Sequence, residues 1–185
     1  FLSGFVSSKL CHRGSVILSS GILGLTLILL YFTPSLVWLK TLLFFLGFGG
    51  GLYLPSGITM ITSVLSSRHW GKGLAVHEIA PNASFVIAPA IAAAVEGLFS
   101  WREIYLLLGI GSILTAVTFA RFGKGGNFPG QAPNPGNILS MLKAPKLWIL
   151  AILFTLAVSI TFGSFSMLPL YLVSEHGMSK AWANQ

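Results

Sequence analysis

Charge is what this sequence lacks most. Charged residues fill 8% of its 185 positions and hydrophobic residues 54%, where a soluble domain carries roughly 25% charged residues. A globule of this length cannot clothe its surface in water with so few ionic groups, and a mean hydropathy of +0.83 makes hydrocarbon its natural solvent. Cys11 is the only cysteine, which excludes an internal disulfide framework and a Cys-based zinc site. Aspartate is missing altogether, and His12, His69, His77 and His176 are too scattered for a local metal motif; no metal and no cofactor is expected. The net charge of +7 comes from basic residues that never adjoin, whereas nucleic-acid binders gather them into a stripe on one face. Nucleic acid is therefore not an expected partner.

Phosphate loops are missing too. No Gly-x-x-x-x-Gly-Lys-Ser/Thr occurs, and Gly-x-Gly-x-x-Gly fails because Leu52 stands in the last glycine position. No Ser, His and acid are placed so as to suggest an activated nucleophile, so no catalytic residue is assigned and the chain does not read as an enzyme. Phe1 to Ser8 lacks the basic start of a signal peptide. With no initiator methionine, and with an end in mid-pattern at Gln185, the sequence reads as a fragment.

What is present is a series of long apolar runs. Crossing about 30 Å of hydrocarbon takes about 20 helical residues, and five runs qualify: Ser15 to Phe32, Thr41 to Leu65, Gly73 to Leu98, Ile104 to Phe122 and Leu147 to Leu172. Alternating strands of barrel type do not occur. The fold class expected is all-α, a polytopic transmembrane helical bundle. Cytoplasmic loops are enriched in Lys and Arg. Placing the first residues inside puts Lys9, Arg13, Arg68, Lys72, Arg121, Lys124, Lys143 and Lys146 there too, against Lys40, Arg102 and Lys180 outside. The segments 1–14, 66–72 and 123–146 are then cytoplasmic. Trp38 and Trp101 mark outer boundaries and Trp70 and Trp148 inner ones, as amphipathic rings do at headgroup level. The stretch from Gly123 to Ala144 is rich in Gly and Pro and reads as a flexible linker, without continuous helix before about Asn137.

Gly4-Phe5-Val6-Ser7-Ser8-Lys9-Leu10-Cys11-His12-Arg13 resembles the loop signature Gly-x-x-x-Asp-Arg/Lys-x-Gly-x-Arg/Lys of the major facilitator superfamily of secondary transporters. Gly4, Lys9 and Arg13 match; Ser8 stands in place of the acid and Cys11 in place of the second glycine. Leu43 to Gly51, with Pro55 one turn on, resembles the fourth helix of that family, with Leu43 where an Arg is usual. Ala88-Pro89-x-x-Ala92-Ala93 is similar to the Gly-Pro-x-x-Gly-Gly stretch of the fifth helix in exchangers. The Trp101-Arg102 pair and Leu168 to Leu172 also fit family habits. The resemblance implies about five complete spans of an expected twelve. Residues 1–122 would belong to the N-terminal six-helix half (end of helix 2, helices 3 to 6), 123–146 to the cytoplasmic central linker, and 147–185 to helix 7 with the following outer loop. It also implies alternating access between two halves, a small-molecule substrate with a proton as candidate coupling ion, and a multi-pass place in a bacterial inner membrane. The alternative is a non-transporting sensor or scaffold of the same fold.

The third run holds the only acid placed well inside an apolar segment, Glu78, beside His77 and four residues before Asn82. Intramembrane ionisable residues cost roughly 2.5 to 3.5 kcal/mol on insertion scales and usually face a bundle interior or a water-filled cavity. Counted from Gly73, Glu78 lies about 8 Å and Asn82 about 14 Å along the helix. They share a face, and His77 points about 100° away. Glu78, Asn82 and His77 are therefore the candidates for the substrate pathway or proton coupling. The competing reading has Glu78 reaching back to Lys72 or Arg68 and Asn82 making an interhelical hydrogen bond. Gly47, Gly49, Gly50 and Gly51 read as a helix-packing face ahead of direct substrate contact, and Pro81 and Pro89 as helix bends, the alternative being that they line a cavity. Phe162, Phe165 and Ser166 are further candidates to line the pathway.

Overall fold

A computed structural model describes residues 2–96 and 100–179; of residues 92, 93, 95, 96, 101, 135 and 137 it describes the backbone alone. Six α-helices and one 3-10 turn follow in order: α1 (Leu2–Tyr31), α2 (Leu36–Val64), the turn Ser67–His69, α3 (Trp70–Glu96), α4 (Trp101–Phe122), α5 (Pro135–Leu142) and α6 (Pro145–His176). All but α5 are long and apolar enough to cross a membrane. The five expected spans are thus present. Most helices overrun the apolar segments because their ends continue through interfacial residues such as Lys40, Lys72 and Lys146. Leu98, the expected end of the third span, and Lys180 lie outside the described residues.

Local chemistry sets the helix ends. Ser35, just after Pro34, caps α2 by accepting from the Trp38 N–H. Ser100 caps α4 by accepting from Arg102, with Glu103 in the first turn, where a carboxylate meets the positive helix end. Asn134 caps α5 and accepts from Gly136, so that helix begins two residues before the expected Asn137, with Pro135 in its first turn. Gly177 closes α6 in the left-handed conformation at φ 61°. The indoles of Trp70 and Trp148 donate to helix-end carbonyls, Trp70 to Thr62 and Leu65 and Trp148 to Leu142.

The chain divides into two compact units, residues 1–81 with 95–132, and residues 82–94 with 133–185. In the first, α1 packs against both α2 and α4. Its buried stripe on α1 is small and polar: Ser7, His12, Ser15, Ser19, Gly24, Thr26 and Leu30. Ser15 and Ser19 are 0% exposed, while Phe44 of α2 is 70% exposed. A soluble protein reverses this pattern. In lipid, small residues let backbones approach and hydroxyls find partners across the contact. Ser19 donates to the Gly49 carbonyl at 2.7 Å and Ser112 to that of Ser20 at 2.9 Å.

Within that unit α1 and α4 approach closely at two glycines. A Cβ on Gly24 would come within 2.9 Å of the Gly109 carbonyl oxygen, and one on Gly109 within 2.9 Å of the Gly24 carbonyl oxygen. In the second unit, Phe85 of α3 stacks on Phe165 of α6 (ring centroids 4.8 Å apart, 17° between planes) and meets Phe162 edge-on at 5.4 Å. There, Phe162 and Phe165 are partners in aromatic packing.

Candidate functional site

Two places gather chemistry-bearing side chains, and both lie in the first unit. The first is a break in α1. Cys11 has φ 60° and ψ 171°, so the helix is interrupted there and resumes at once. An interrupted helix leaves N–H groups without helical partners. Here the chain after α4 supplies them: His12 N–H donates to the Phe128 carbonyl at 3.3 Å and Arg13 N–H to that of Gly126 at 3.0 Å. In the reverse sense, Gly130 N–H donates to the Ser7 carbonyl at 3.0 Å. The buried His12 ring lies 4.9 Å from that of Phe128, and its Nδ1 is 3.3 Å from Ser56 Oγ.

Arg13 reaches α4. Its Nη2 donates to the Ala120 carbonyl at 2.7 Å and to that of Phe119 at 3.5 Å, in the last turn of a helix ending at Phe122. Cations are favoured at that negative end. Ser8 instead donates locally, to the Phe5 carbonyl at 2.9 Å. Lys9 is exposed and borders an open apolar groove with Phe5, Val6, Leu10 and Leu18. Gly4 sits in the opening turns of α1, where its carbonyl accepts from Ser7 Oγ at 3.2 Å.

The second place is where α2 meets α3. The Tyr53 hydroxyl lies 3.0 Å from His77 Nε2 and the two rings are stacked, 13° between planes. His77 Nδ1 lies 3.3 Å from Glu78 Oε1. The His77 side chain is 13% exposed and that of Glu78 55%. The expected 100° separation of His77 and Glu78 does not keep them apart, because neighbouring side chains on a helix can swing toward each other. Asn82 stands exposed on α3 in the second unit, three residues before Phe85.

The glycine cluster of α2 divides. A Cβ on Gly49 would meet Ile22 and Leu23 of α1 at 3.0 to 3.3 Å, but on Gly47, Gly50 or Gly51 it would meet nothing described within 4 Å. Among the described residues the packing face therefore reduces to Gly49. Pro89 lies within the continuous helix α3.

A family model described as Major Facilitator Superfamily matches residues 1–184. The chain belongs to that superfamily. It is 30% identical over 111 residues to the "Inner membrane metabolite transport protein YdjE" of Escherichia coli, a match covering 60% of this chain and 25% of that protein. It is 29% identical over 175 residues to the "Probable multidrug-efflux transporter Rv1634" of Mycobacterium tuberculosis, covering 92% of this chain and 35% of the other. The chain thus spans about a quarter to a third of the length of these relatives. No solved structure gives a significant match.

The dihedral angles of Cys11 fall in a region that is essentially glycine-only, at the residue that stands in place of the second glycine in the signature that residues 4–13 resemble. The expected flexible linker needs correction in its first part. Residues 126–130 are tied to the break in α1 by three backbone hydrogen bonds, and Gly126, at φ 73°, passes so close that a Cβ would meet Met60 and the Arg13 nitrogen. Composition reported the glycines but could not report the unpaired N–H groups that hold the segment. Sequence reasoning also missed Tyr53, whose role depends on a partner 24 residues away, and the Gly24–Gly109 crossing.

Proposed function

We propose that this superfamily member is part of a secondary active transporter that moves a small organic solute by alternating access, with a proton as coupling ion. The observation that carries the coupling is the His77–Glu78 pair, two titratable groups 3.3 Å apart inside an apolar helix. Such groups are costly in a membrane and normally functional. The printed names of the relatives, a metabolite transport protein and a multidrug-efflux transporter, support a small organic substrate. Asn82, exposed on the same helix, is the proposed substrate contact. Gly4, Lys9 and Arg13 form the cytoplasmic loop motif, in which Arg13 donates to carbonyls at the end of α4.

The positive-inside bias supports a cytoplasmic location for residues 1–14, 66–72 and 123–146, and bacterial relatives favour an inner membrane. In this reading residues 1–122 and 147–185 contribute to two different halves, joined by 123–146. Glu78→Gln in the full-length protein, reconstituted in vesicles, is expected to abolish solute flux driven by a pH gradient while solute exchange at equal pH persists. Unchanged pH-driven flux would reject Glu78 as a proton carrier. Ser8 and Leu43, standing where the family has an acid and an Arg, favour a second reading, a non-transporting sensor or scaffold. A folded protein that moves no solute from a broad panel would select it.

A further inference from the structure

We infer that Tyr53 is the positioning residue of this proton-coupling pair: its hydroxyl and ring hold the His77 imidazole so that Nδ1 faces the Glu78 carboxyl. The inference rests on the proposed coupling role of His77 and Glu78.

An imidazole on a helix can turn over about its Cβ–Cγ bond, which would exchange Nδ1 for a carbon beside Glu78. Two contacts from α2 oppose that. The stacked Tyr53 ring, with centroids 5.7 Å apart, fixes the plane of the imidazole. The hydroxyl at 3.0 Å from Nε2 fixes which edge faces which way. The position of Tyr53 is itself built into α2. One turn on stands Gly57, where a Cβ would lie 3.2 to 3.5 Å from the tyrosine ring. Glycine leaves the space that the ring occupies.

The chemistry closes without a further reactant. Before transfer, Nε2 carries the proton of the neutral imidazole and donates to Tyr53 Oη, while the Nδ1 lone pair faces the protonated Glu78 carboxyl. The carboxylic O–H bond breaks and an Nδ1–H bond forms, giving a carboxylate and an imidazolium. Nε2–H donates to Tyr53 Oη throughout, and Tyr53 keeps its own proton. The reverse step returns the proton to Glu78. A hydroxyl suits this place because it accepts from the ring in both states and can donate to Nε2 in the other tautomer. Without it, the imidazolium would hold a charged N–H donor unpaired in apolar surroundings, which is costly.

Tyr53→Phe keeps the stacked ring and removes only the hydroxyl, so it separates positioning from packing. The assay is uptake by vesicles of the full-length protein over a series of imposed pH gradients, with counterflow at symmetrical pH as a second readout. The expected result is a loss of proton-driven uptake of about tenfold, the size of one hydrogen bond to a charged group, with a flattened pH profile and a much smaller loss of counterflow. Gly57→Ala, which crowds the same ring, should change the pH profile in the same direction. Unchanged proton-driven uptake and pH profile in Tyr53→Phe would overturn the inference, and so would an equal loss of both readouts, which marks a merely structural role. His77→Gln and Glu78→Gln keep the two readings apart. If they abolish proton-driven uptake and Tyr53→Phe does not, the role of Tyr53 alone falls; if they leave it intact, the coupling role of the pair falls first.

Discussion

Cys11 carries a side chain in a conformation that favours glycine, and among the described residues it is the only non-glycine with positive φ. Residues held in such regions cost of the order of 1–3 kcal/mol and persist where the surroundings over-determine them. Here the surroundings are the N–H groups of His12 and Arg13, both bonded to the segment after α4. Cys11→Gly should therefore stabilise the protein by about 1 kcal/mol or more. A thermal melt of the purified full-length variant checks this: a raised midpoint is expected, and a lowered one would mean that the thiol makes contacts worth more than the strain. The departure of Cys11 from the family signature was legible in the sequence. The cost of that departure was not, because it depends on a dihedral angle.

At the scale of elements, helix existence was the most legible feature, since long apolar runs flanked by Lys, Arg and Trp leave few alternatives. Contacts between helices were much less so. Four glycines clustered on α2 suggest a packing face, yet among them Gly49 alone lies against a described neighbour, and a close crossing uses Gly24 of α1 and Gly109 of α4. A glycine permits close approach without saying which helix approaches. The segment 126–130 teaches the same lesson from the other side. Gly125 and Gly126 adopt positive φ, so they serve a shaped path along α1. Gly130→Ala would push a methyl group into Ser7 and should loosen that path. Hydrogen exchange is then expected to quicken at the amides of His12, Arg13 and Gly130, which make the three backbone bonds. Unaltered protection at all three would show that the segment is held by something other than these contacts.

On the scale of the whole molecule, the scarcity of charge found its counterpart in the distribution of surface. Large apolar side chains face outward on α2 and α6, with Phe154 68% exposed, while serines line the contacts of α1. That arrangement belongs in lipid and agrees with membership in the Major Facilitator Superfamily. The candidate site was legible in part. Glu78 and His77 stand out as ionisable residues within an apolar run, whereas their relation to Tyr53 depends on a single contact from α2 to α3 that no sequence spacing encodes. The proposed activity is that of a carrier that alternates between two faces of a membrane. Counterflow separates a carrier from a non-transporting protein: vesicles of the full-length protein are loaded with unlabelled solute and diluted into a trace of the same labelled solute, across a panel of small organic compounds. A carrier gives transient accumulation of label above equilibrium for at least one compound, and this is the expected result. A folded protein that shows no such overshoot for any compound it is able to bind would contradict it.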